Sequence, residues 1–79
     1  MTKSEFLRAL EQQMDLIVGS LEEDSALSQV DGWDSMAPLI FMALADERLH
    51  ITLSADEVNR SKSVSQLLAL LGNALSDAR

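Results

Sequence analysis

An all-α fold, a small four-helix bundle with three main helices and one short one, is what the sequence predicts, on three observations. Apolar residues recur at alternating spacings of three and four, which places them on one face of a helix. Three pairs, Thr2 with Glu5, Ser54 with Glu57 and Ser63 with Gln66, have the form of capping boxes, in which a side-chain oxygen accepts from an unpaired N–H of the first helical turn. No stretch sustains the period-two alternation of a half-buried strand. The 79 residues leave room for one domain, taken as residues 1–79, with one small core.

The first helix is expected over residues 3 to 18. Thr2 starts it, Leu7, Leu10, Met14 and Ile17 form its apolar stripe, Phe6 and Val18 widen that stripe, and Gly19 is the expected stop, since glycine accepts the left-handed conformation common after a helix end. Residues 19 to 34 fit neither period and read as a long loop, pinned to the core by Leu21, Leu27, Val30 and Trp33. Loops of that length are uncommon in compact domains and often functional. The second helix is expected from a Ser35 cap to about Leu49, with Pro38 at the third helical position, where a missing N–H costs little. A short turn follows from Ser54 through about Asn59. The last helix, from Ser63, carries Val64, Leu67, Leu68, Leu71 and Leu75 on one face, and Gly72 weakens it or ends it early.

Composition narrows the function classes. Thirteen acidic against six basic residues give a net charge of -7, the wrong sign for nucleic-acid phosphates or anionic lipid headgroups. Residues 9 to 47 contain Glu11, Asp15, Glu22, Glu23, Asp24, Asp31, Asp34, Asp46 and Glu47 but no Lys or Arg, so a basic partner surface is the natural complement. With no Cys and one His, His50, there is no thiolate or histidine cluster for zinc and no disulfide. The longest apolar run, residues 36–45, is about half of what a bilayer crossing requires, so no membrane span is expected. Nothing after Met1 has the form of a secretory leader, so the expected compartment is the cytoplasm.

A calcium-binding reading and a hydrolase reading both fail on spacing. A calcium loop starting at Asp24 would put Gln29 where glycine is needed and Ser35 where a bidentate Glu belongs. A hydrolase built on Ser35 and His50 would hold its nucleophile and base about four helical turns apart.

The triplet Asp34-Ser35-Met36, taken alone, is an ordinary helix start: a serine cap with an acid beside the positive end of the helix dipole. Its setting adds more. The order of a first amphipathic helix, a long loop, G-W-D-S-M opening the second helix, then D-E-R-L-H-I-T-L-S, a short helix and S-V-S-Q-L-L resembles an acyl carrier protein over residues 3 to 75.

The resemblance implies that Ser35 receives 4′-phosphopantetheine from coenzyme A and that the chain, holding an acyl group as a thioester on that arm, presents it to partner enzymes without being an enzyme itself. Asp34 would then serve as the helix charge and as a contact for the modifying transferase. The implied partners are a phosphopantetheinyl transferase and acyl-loading and acyl-using enzymes, with the chain a monomer.

Helical spacing separates Phe41, Met42, Ala45 and Leu49 from Met36, Ile40, Ala43, Leu44 and Glu47, one set facing inward and the other outward. If the second set faces outward, Met36 and Ile40 with Asp46 and Glu47 form the partner surface. Ala37, Pro38 and Ile40 stand where fatty-acid carriers usually have acids, which points to a specialised pathway. Two alternatives stay open: a peptidyl, aminoacyl or polyketide carrier, and an unmodified helical interaction module. Trp33 reads first as a loop anchor, and His50 as a favourable charge near a helix end.

Overall fold

A computed structural model of the chain describes residues 1–30 and 32–75, apart from the side chain of Asn73; Asp31, counted among the acids above, and residues 76–79 lie outside the described residues. Four α-helices, α1 Lys3–Gln13, α2 Ala37–Leu49, α3 Ala55–Arg60 and α4 Val64–Ala69, are accompanied by two 3-10 turns, Leu27–Gln29 in the loop between α1 and α2 and Gly72–Ala74 after α4, with no β-strand among the described residues. The all-α expectation holds.

All three expected caps are used, and the first is a complete capping box. The Thr2, Ser54 and Ser63 hydroxyls accept from the N–H groups of Glu5, Glu57 and Gln66 at 3.0, 3.2 and 3.2 Å. At the first, the Thr2 N–H donates back to the Glu5 carboxylate at 2.8 Å, completing the reciprocal pair. That backbone bond first, and the Thr2 side chain second, hold the Glu5 carboxyl below its ordinary value.

Helix α1 ends five residues earlier than its apolar stripe predicts. After Gln13 the chain passes Met14 and turns at Asp15, whose φ of 58° is left-handed. The Asp15 N–H donates to the Gln12 carbonyl at 3.2 Å and the Leu16 N–H to the Glu11 carbonyl at 2.8 Å, the two bonds of a Schellman stop. What draws the chain back is Glu11. Its carboxylate is fully buried, and Oε2 accepts from the N–H groups of Gly19, at 3.0 Å, and Leu21, at 2.8 Å. Oε1 lies 2.8 Å from Arg8 Nε, an ion pair without hydrogen-bond alignment, while Arg8 Nη2 donates to the Leu21 carbonyl at 2.8 Å. Residues 19–21 thus hang from one turn of α1, and Ile17 and Val18, assigned above to the buried stripe, are exposed instead.

The long loop is bonded along its length. Beyond Leu21, which is buried, the Ser65 N–H donates to the Glu23 carbonyl, Val64 N–H to Ser25, and Leu27 N–H to Lys62, at 2.9 to 3.0 Å. An isolated antiparallel bridge pairs Ala26 with Ser63 at the same place. Leu21, Leu27 and Val30 are buried and Trp33 packs partly against the core, the anchoring role expected of all four. The loop is therefore sewn to α1 at one end and to the start of α4 in the middle.

Helix α2 packs against both α1 and α3. Its Phe41 meets Phe6 of α1 edge to face, centroids 5.7 Å apart and planes at 78°, the arrangement favoured by opposed ring quadrupoles. Leu10, Leu44, Ala45, Leu53 and Val58 belong to the same buried cluster as that pair, as do Val64, Leu67, Leu68 and Leu71 of the last segment. Helix α4 stops at Ala69. Gly72, with φ +56°, opens the second 3-10 turn, and Leu75 still reaches the core.

Removing the Glu11 carboxylate strands two N–H groups and the Arg8 charge. Glu11→Ala is expected to lower unfolding free energy by about 3 kcal/mol, against about 0.5 kcal/mol or less for the exposed Glu22→Ala. Denaturant titration of the two variants measures the difference, and equal losses would remove Glu11 from its place in the fold.

Candidate functional site

The site is the junction where the long loop becomes α2. Its cap is not the one expected. Met36, in right-handed helical conformation, is the residue preceding the helix, with no side-chain cap of its own, and Ser35 stands outside it. The capping acceptor is Asp34: Oδ1 accepts from the Met36 N–H at 2.9 Å, and the Asp34 carbonyl accepts from the Ala37 N–H at 3.1 Å. Pro38 becomes the second helical residue instead of the third. The physical reason is that the Asp side chain reaches the N–H two residues on, an Asx turn that begins the helix one step later than a Ser35 cap would.

Two consequences follow for Ser35. Its side chain is exposed, and no hydrogen bond among the described residues engages its hydroxyl. The amides just beyond it are, however, largely committed: those of Met36 and Ala37 are bonded to Asp34, and Pro38 has none. An anion on Ser35 would feel the helix dipole, with the N–H groups of Met36 and Ala37 already taken by Asp34.

The rotation of α2 is now fixed. Ala37, Phe41, Leu44 and Ala45 are buried, with Met42 and Leu49 half-buried beside them. Phe41, Met42, Ala45 and Leu49 therefore form the inward set. Leu44, grouped with the other set, faces inward as well. Met36 is exposed, as are Ala43, Asp46 and Glu47. Ile40 departs from the expectation: it packs partly against the core and lines a shallow hollow with Gln13, Ala43, Leu44 and Glu47. Leu39, which the spacing assigned to neither set, is 53% exposed beside Met36 at 56%. The outer stripe thus runs from Met36 and Leu39 through Ala43 to Asp46 and Glu47, apolar near Ser35 and acidic about 15 Å along the helix.

Asp46 and Glu47 sit near the negative end of the α2 dipole, where acids cost a helix about 0.3–1 kcal/mol each. Glu47 pairs with Arg48, whose Nε lies 3.9 Å from Glu47 Oε1 on the exposed surface, a weak pair.

His50 ends α2 in a left-handed conformation, φ 57°, with its N–H bonded to the Asp46 carbonyl at 3.0 Å. Ser35 and His50 occupy opposite ends of a helix about 20 Å long, so these two side chains do not meet. Among the described residues no group of three His, Asp or Glu side chains is placed to hold a metal ion, and no helix is long and apolar enough to cross a membrane. Comparison of the chain with protein-family models, with curated proteins and with solved structures finds no match.

The division of roles at the junction is open to measurement. Asp34→Ala is expected to cost about 1 kcal/mol by loss of the cap, while Ser35→Ala stays within about 0.5 kcal/mol of wild type. Thermal unfolding of the two variants checks this, and a larger loss for Ser35→Ala would return the cap to Ser35.

Proposed function

We propose that the chain is an acyl carrier, modified on Ser35 with 4′-phosphopantetheine from coenzyme A and presenting an acyl group to partner enzymes. The observation that carries the reading is the separation of roles at Asp34-Ser35: the aspartate makes the cap and leaves the serine hydroxyl exposed and unengaged on a backbone held in place. A serine kept only to start the helix would be expected in the bond that Asp34 makes.

The residues fit such an arm. Attachment needs an accessible hydroxyl, which Ser35 has. The transfer forms a phosphoester bond at Ser35 Oγ as the pyrophosphate link of coenzyme A breaks; adenosine 3′,5′-bisphosphate leaves and the serine proton passes to solvent or to a base of the transferase. When attached, the arm supplies the terminal thiol, absent from this cysteine-free chain, that holds an acyl group as a thioester. Asp34 keeps Ser35 at the loop-to-helix corner by its bond to the Met36 N–H. Met36 and Leu39 offer apolar contact beside the serine, and Asp46 and Glu47 offer charge to a basic partner patch. The chain is expected to act as a monomer in the cytoplasm, with no nucleic acid among its partners.

Incubation with coenzyme A, Mg²⁺ and a broad-specificity phosphopantetheinyl transferase is expected to add one phosphopantetheine by intact mass, with Ser35→Ala unmodified yet equally helical. A wild-type chain left unmodified by several such enzymes would favour an unmodified interaction module.

A further inference from the structure

Ile17 and Val18 are the most exposed large apolar side chains among the described residues, at 83% and 74%. Single exposed apolar residues are ordinary on protein surfaces. This pair differs in being adjacent, β-branched and set on a fixed backbone. Leu16 is bonded to Glu11, Gly19 and Leu21 hang from the Glu11 carboxylate, and the Ile17 carbonyl accepts from Ser20 through both N–H and hydroxyl, at 3.0 and 2.6 Å. Turn positions of this kind favour Gly, Asn, Asp and Ser. Isoleucine and valine here serve neither the turn nor the core, and holding them out in water stabilises nothing in the isolated chain.

Their place in the fold ties them to Ser35. The Leu16 side chain closes on Gly32 so tightly that a Cβ on that glycine would sit 2.7 Å from Leu16 Cδ2. Gly32 is three residues before Ser35, so the reach of an extended chain keeps the Ile17 and Ser35 Cα atoms within about 23 Å of each other. A standard interface covers about 800 Å² per partner, a disc about 30 Å across. The exposed Met36 and Leu39 lie directly beyond Ser35 along the chain.

We propose that Ile17 and Val18 form a docking contact for the transferase that modifies Ser35, which rests on the reading of Ser35 given above. Charge selects this occupant. Residues 9 to 47 carry no Lys or Arg, Asp15 and Glu22 to either side of the pair are exposed acids, and Arg8, which lines a hollow with Val18 and Asp15, is paired with Glu11. An enzyme that grips coenzyme A holds a polyanion and so has a cationic mouth, which complements an acidic face presenting an apolar tip. A second copy of this chain, also at -7, would bring like charges together.

The test compares wild type, the double variant Ile17→Ser with Val18→Ser, and Ser35→Ala, in a phosphopantetheine-transfer assay with coenzyme A and a broad-specificity transferase. Intact mass gives the rates, circular dichroism the fold, and sedimentation the oligomeric state. The expected result is a KM for the double variant raised about tenfold or more with kcat unchanged and helicity retained. Wild-type KM in the double variant overturns the docking contact and leaves the Ser35 reading standing. A wild-type chain that gains no mass overturns both. A wild type that self-associates while the double variant sediments as a monomer makes a second copy the occupant and overturns the transferase assignment.

Discussion

One buried carboxylate organises this small domain. Taking Glu11 out of water is costly, and the cost is offset only because two backbone N–H groups and the Arg8 guanidinium converge on it. The two N–H groups come from the far side of a turn, so the bonds that satisfy the charge also draw the chain back after α1 and bring Leu21 into the core. Arg8 contributes twice, facing Glu11 and holding the Leu21 carbonyl. With neither disulfide nor metal, a chain of 79 residues depends on few such fixed points.

From that point the loop is carried across the molecule in stages. It bonds to residues 62–65 at the start of α4, makes a 3-10 turn that buries Leu27, and passes Leu16 at Gly32 before reaching Asp34. Each attachment removes freedom from a segment that would otherwise cost entropy to present in one geometry. The junction so held gives its cap to Asp34, and the serine beside it keeps a hydroxyl without a structural task. Fold and proposed chemistry meet in that allocation: a rigid support carrying one uncommitted nucleophilic oxygen.

Local signals were legible in the sequence and non-local ones were not. Thr2, Ser54 and Ser63 cap the helices expected of them because a cap and the N–H it accepts from lie within four residues. The end of α1 was misplaced because period counting cannot see a side chain that bonds eight and ten residues ahead. Ile17 and Val18 matched the stripe in spacing, yet the Glu11 turn had already taken them off the helix. Glu11 itself read as one more acid in an acidic stretch, and only burial distinguishes it. At the junction, both Asp34 and Ser35 are good caps, and a choice between two adjacent caps turns on backbone geometry. The rotation of α2 was half legible. Its first half is apolar all round, so Ile40, Leu39 and Leu44 were ordered only by what packs against them.

The central claim is that Ser35 is a modified residue on a carrier, and the chain's natural state tests it most directly. Intact-protein mass spectrometry of the natively expressed chain, followed by fragmentation, is expected to show a population heavier by one phosphopantetheine, part of it further acylated, with all added mass on Ser35. A native chain found only at its unmodified mass, or modified at another residue, would contradict the account.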